Sequence, residues 1–98
     1  MTDNFHDAID LYVDDIDWTQ CPQTVVGTLR NYLQYHIGTG GFLEAVLSND
    51  LVGSLGRADE RNKECLHDIV RFLYNEAPAI SWGSKNRYRE WLKRRLND

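Results

Sequence analysis

The stretch Gly40–Trp82, GGFLEAVLSNDLVGSLGRADERNKECLHDIVRFLYNEAPAISW, decides the fold class. Its apolar residues Phe42, Leu43, Val46, Leu47 and Leu51 recur every three or four positions, the period that puts side chains on one face of a helix. Leu66, Ile69, Val70, Leu73 and Tyr74 repeat the pattern further on. Between the two runs stand Gly53 and Gly56. Glycine costs roughly 1 kcal/mol in a helix interior and readily ends a helix, so the sequence places a hinge there. Asp59 is placed to cap the second helix, where a carboxylate can accept from free backbone amides and meets the positive end of the helix dipole. Pro78 stops that helix because it has no amide hydrogen.

Working outward, the chain keeps the same period. Phe5, Ile9, Tyr12, Val13 and Ile16 predict a helix from about Asn4 to Asp17. Trp18 to Cys21 reads as a connection, and Pro22 suits the first turn of a helix reaching about His36, with Val26, Leu29 and Leu33 inward. After Pro78, Ile80 and Trp82 are expected to anchor a connection to the core. Ser84 is the expected cap of a last helix carrying Tyr88, Trp91 and Leu92. The reading is an all-α protein, a single domain over residues 1–98 built from about five short amphipathic helices, with no strand-hairpin signal. Its expected core includes Phe42, Leu43, Val46, Leu47, Leu66, Ile69, Val70, Leu73, Trp82, Trp91 and Leu92.

One resemblance rests on long words in this chain. The string GxFLxAVLxNDLxxxxGRADxxN, then IVxxLYNxxPxxxWGS and the pair Trp91–Leu92, resembles a family of short, functionally uncharacterised bacteriophage and prophage proteins. The resemblance covers roughly Pro22 to Leu92, and residues 1–20 lie outside it. It implies a small intracellular phage-type protein and transfers no catalytic residue.

Composition sets the remaining bounds. At 42% hydrophobic and 27% charged, the chain is neither as apolar as a membrane protein nor as polar as a disordered one. The opening MTDNFHDAID has no basic or apolar leader segment, so the expectation is no signal peptide, a cytoplasmic location and no membrane association. In that compartment Cys21 and Cys65 stay reduced.

The net charge of -4 hides an uneven layout. Residues 1–20 hold six aspartates and no lysine or arginine, whereas residues 85–95 hold six basic residues and one glutamate. Asp3, Asp7, Asp10, Asp14 and Asp17 alternate spacings of four and three, which on a helix makes a row of carboxylates about 5.4 Å apart. Such a row can imitate the phosphates of a nucleic acid and occupy a basic groove on another protein. An ordinary solvated face, or one that pairs with the basic end within a monomer or a homo-oligomer, explains the same row.

Catalytic and metal motifs are missing. Cys65 and His67 point to different faces of a helix, and Cys21, His6 and His36 have no closed-site spacing, so no metal site and no cofactor is expected. Ser48, Ser54, Ser81 and Ser84 lack the setting of a nucleophile, and neither glycine cluster follows a strand as a phosphate loop would. The chain reads as a non-enzyme.

Three binding modes follow. The preferred one is a phage or prophage accessory protein, a possible acidic inhibitor, that contacts a host or defence protein with a basic surface through the aspartate row. The second is a small-molecule or nucleotide site formed by Asn49, Asp50, Arg57, Asp59, Asn62 and Asn75, with the Arg57 fork as anion donor; the plainer reading is that these residues cap helix ends. The third is a DNA-binding regulator using Lys85, Arg87, Arg89, Lys93, Arg94 and Arg95. A pI near 5.2, and aromatics that share the apolar stripe of that helix, argue against direct nucleic-acid binding.

Overall fold

The computed structural model describes residues 15–96. These form five α-helices, α1 (Val26–Tyr35), α2 (Gly41–Leu47), α3 (Leu51–Arg57), α4 (Glu60–Glu76) and α5 (Lys85–Leu96), with short 3-10 turns η1 (Trp18–Gln20) and η2 (Ala79–Ser81). No strand occurs among the described residues, so the fold is all-α. The Cα radius of gyration is 13.1 Å, as expected for a compact chain of about 100 residues.

The core forms where α1, α2, α4 and α5 bring their apolar stripes together around Leu29, Tyr32, Leu33, Leu47, Ile69, Phe72, Leu73 and Trp91. Three of its aromatics carry polar atoms, and each polar atom finds a partner. Tyr32 Oη donates to the Ser81 carbonyl (2.6 Å) and Trp91 Nε1 donates to the Tyr32 carbonyl (2.8 Å). Tyr88 stacks on Tyr32 with ring centroids 5.3 Å apart, and its hydroxyl accepts from the Thr39 amide. These pairings let large rings be buried without stranding their polar tips. Burial, reinforced by neighbouring Tyr88, pushes the Tyr32 phenol well above its ordinary value.

Helix α1 ends in a left-handed residue that is not glycine. His36 has φ of 58°, its amide donates to the Tyr32 carbonyl, and the Ile37 amide donates to the Asn31 carbonyl. This double bond pattern satisfies carbonyls that the helix end would otherwise leave free. The imidazole lies 4.5 Å from the Trp91 ring, and its Nδ1 is 2.9 Å from the Trp91 carbonyl. That docking offsets the steric cost of a Cβ in this conformation.

Several sequence expectations hold. The Asp59 carboxylate accepts from the Asn62 amide, the Ser84 hydroxyl accepts from the Arg87 amide, and α4 stops two residues before Pro78. Ile80 and Trp82 pack against the core, as do the half-buried Leu66 and Leu92.

Other expectations are corrected. The helix expected across 42–51 is two helices, and the break is at Ser48–Asp50, not at the glycines. Asn49 takes a left-handed φ of 63°, and the Asp50 carboxylate accepts from the Gly53 amide to start α3. An asparagine that tolerates that conformation followed by a capping aspartate is a complete stop and restart, so Gly53 and Gly56 lie inside α3. Leu51 is consequently turned outward. Val70 leaves the expected core, at 38% exposure, and Tyr74, read on the same apolar face, is 78% exposed, because α4 turns Phe72 inward against Trp18 (centroids 5.4 Å apart). The inward stripe is Cys65, Leu66, Ile69, Phe72 and Leu73, a narrower seam with Val70 and Tyr74 on its outer flank. Helix α1 starts at Val26, not Pro22, since Pro22–Val25 closes a turn through the Val25 amide and Pro22 carbonyl.

Of the helix expected over Asn4–Asp17, residues 4–14 lie outside the described residues. Its last turn is not helical: Asp17 is extended and caps η1. No helix among the described residues is long and apolar enough to cross a membrane.

Candidate functional site

Helix α3 is inverted with respect to an ordinary amphipathic helix. Its one buried residue is Ser54, at 1% exposure, while Leu51, Val52 and Leu55 are 62%, 82% and 46% exposed. At 100° per residue these three apolar side chains share one flank. Ser54 can be buried because its hydroxyl donates to the Leu51 carbonyl (2.7 Å), so no polar group is stranded. The helix packs chiefly against α2 and turns its apolar flank to solvent. Burying apolar surface is worth about 25 cal/mol per Å², a gain that this flank does not make in the folded chain.

A cavity of about 340 Å³ lies on the other side of α3. Its floor is the α2 stripe Gly41, Glu44, Ala45 and Ser48, and its walls are Asp50 and Arg57 from the α3 region and Lys85 from the start of α5. Three of the four floor residues are small, which is what makes the surface concave. Side chains approach the two glycines nearby closely. A Cβ on Gly41 would sit 3.2 Å from the Arg57 Cδ, and one on Gly53 would collide with the Asp50 carboxylate and approach Arg57 Nη1 to 2.7 Å. Arg57 therefore lies along the helix backbone, with Nη1 donating to the Gly53 carbonyl (3.2 Å). The Gly83 amide donates to the Leu47 carbonyl (2.8 Å), which ties the lead into α5 to the end of α2 and brings Lys85 over the floor.

The expected polar cluster is thus divided. Asp50 and Arg57 share the cavity; Asn49 forms the turn between α2 and α3, Asp59 caps α4, Asn62 supplies the capped amide, and Asn75 is exposed on α4. Glu44, Ser48 and Lys85 complete the site without having been expected there. The first two were signalled by their spacing from Gly41, a helical stripe that is small and polar where a core stripe is apolar. Lys85 had no local signal.

The two charged ends fare differently. Asp3, Asp7, Asp10 and Asp14 lie outside the described residues. Asp17 is described, and it is committed to structure: its carboxylate accepts from the Thr19 amide and hydroxyl and from Gln20, and its amide donates to Glu76. Those donors hold its carboxyl below the ordinary aspartate value of 3.8, the Thr19 hydroxyl contributing most. Asp17 is not a free member of an acidic row. At the basic end, Arg87 donates to the Ala79 and Trp82 carbonyls, Lys93 pairs with Glu90, and Arg94 stacks over Trp91. Tyr88 and Trp91 are buried, so α5 presents neither as a stacking surface for bases.

Among the described residues no group of three or more histidines, cysteines or carboxylates could hold a metal ion, and both cysteines are free. Burial pushes the Cys21 thiol up to about 11, against a smaller opposing pull from Arg30. No protein-family model, curated protein or solved structure matches this chain.

Proposed function

We propose that this chain is a non-catalytic binding protein that engages a protein partner through the outward apolar flank of α3. The observation that carries this reading is the inversion of that helix, which buries Ser54 and exposes Leu51, Val52 and Leu55. The neighbouring helix α2 buries leucine and valine, at Leu43, Val46 and Leu47. An apolar flank left outside on a helix that packs mainly through one neighbour is the arrangement of a contact surface.

Charge narrows the partner. The net charge of -4 and the aspartate-rich residues 1–20 favour a protein with a basic surface, through steering and orientation more than through raw affinity. The resemblance to phage and prophage proteins points to a host or defence protein as that partner, with the chain acting as an accessory factor or inhibitor. In this reading α3 supplies the apolar centre of the interface, and the negative charge of the chain steers the basic partner towards it.

The test compares capture from host lysate by the wild-type chain, by the combined variant Leu51→Gln, Val52→Gln, Leu55→Gln, and by Asp3→Asn, Asp7→Asn, Asp10→Asn, Asp14→Asn. A partner held by the wild type and lost by the α3 variant supports the proposal. Loss only in the asparagine variant would move the contact to the aspartate row. Capture indifferent to both sets would defeat the reading.

A further inference from the structure

The cavity between α2, α3 and the start of α5 is separate from the apolar flank of α3. With residues at 100° intervals, Gly53 and Arg57 project from the side of that helix away from Leu51, Val52 and Leu55. A ligand here and a protein on the flank do not compete for the same atoms.

Four charged groups line this cavity, and none of them, Glu44, Asp50, Arg57 or Lys85, takes part in an ion pair among the described residues. Arg57 uses one guanidinium N–H on the Gly53 carbonyl, which fixes the fork while leaving other donors unspent. Asp50 is already occupied as the α3 cap. On the floor, the Ser48 hydroxyl oxygen is buried and has no hydrogen-bond partner. Such a group carries a desolvation cost until a partner reaches it.

The cavity therefore offers two cationic donors, one open carboxylate and an unsatisfied hydroxyl in about 340 Å³, near the lower end of the roughly 300–1,000 Å³ of small-molecule sites. A simple polyanion fits this set poorly, because Glu44 would repel it. A ligand with both signs of charge fits it. We propose that the cavity binds a small zwitterion, a free amino acid, with its carboxylate held by Arg57 and Lys85 and its ammonium group held by Glu44.

Lys85 is an exposed residue whose side chain makes no hydrogen bond among the described residues, and Glu44→Gln keeps the side-chain shape, so both positions can be changed without dismantling the protein. The experiment titrates the standard L-amino acids, singly and at millimolar concentration, into the isotopically labelled full chain and follows its amide resonances. At least one amino acid is expected to shift amides across residues 41–48 and at 85. Its affinity should fall tenfold or more in Lys85→Ala. N-acetylation of that amino acid should abolish binding to the wild type, and Glu44→Gln should erase the preference for the free amine. Inorganic phosphate serves as the control anion. Equal binding of phosphate, the amino acid and its acetylated form would overturn the zwitterion assignment in favour of a plain anion site. An absence of shifts with every amino acid would overturn the site.

Discussion

Helices α4 and α3 are consecutive, and they treat apolar residues in opposite ways. Helix α4 has seventeen residues and buries Ile69, Phe72 and Leu73; α3 has seven and buries a serine while exposing two leucines and a valine. Length accounts for part of the contrast, since a seven-residue helix has barely two turns and is only marginally stable without tertiary support. Its support comes from a cap at Asp50 and packing on α2, and neither uses the apolar flank. The lesson is that the buried core of this molecule resides in α1, α2, α4 and α5, while α3 is carried on α2 with its apolar flank outside that core.

The largest effect should come from breaking the stable side of that comparison. Phe72→Ala removes a fully buried ring that meets Trp18 and should cost roughly 3 to 5 kcal/mol in denaturant unfolding. A cost near zero would place the core elsewhere. Tyr32→Phe is gentler, leaving the ring but stranding the buried Ser81 carbonyl, and is expected to cost about 1 to 3 kcal/mol.

On the α3 side the expected effects shrink. Asp50→Ala deletes the cap and should cost about 1 kcal/mol, with faster amide exchange confined to residues 51–57. The variant Leu51→Gln, Val52→Gln, Leu55→Gln removes no buried contact from the core, so each change should stay within about 0.5 kcal/mol. A drop as large as that of Phe72→Ala would show that the flank is structural and erase the contrast between the helices.

The smallest effect concerns acid. Because the Asp17 carboxyl sits below its ordinary value when folded, its contribution is complete above about 3.8 and is lost as pH falls through the lower folded value. Asp17→Asn should therefore lower stability slightly at neutral pH and flatten its acid-side decline, so that the variant and the wild type converge at low pH. An unchanged decline would mean that its bonds to Thr19 and Gln20 do not persist in solution.

Much of the scaffold could be read from residue order because its signals are local. The three-and-four spacing gave the helices, Asp59 and Ser84 their caps, and Pro78 the end of α4. The break between α2 and α3 was misplaced because Gly53 and Gly56 are conspicuous, whereas the working signal is the pair Asn49–Asp50. Gly53 answers to the close approach of Asp50 and Arg57, the cap and last residue of its own helix, whereas Gly56 has open space around it. The faces of α4 were misjudged because Val70 and Tyr74 satisfy the apolar period as well as Phe72 does, and only packing against Trp18 selects between them. In the cavity, Arg57 and Asp50 were legible as a polar pair. Lys85 was not, since its position depends on the bond between the Gly83 amide and the Leu47 carbonyl, which joins segments far apart in the chain.

The central claim is that α3 is a contact surface carried by a stable scaffold. Its most direct test is hydrogen–deuterium exchange of the full chain with and without the protein partner that the capture experiment isolates. The account predicts that amides of residues 51–57, the quickest to exchange among the five helices in the free chain, become protected in the complex. Protection confined to other residues, with 51–57 exchanging as before, would contradict it.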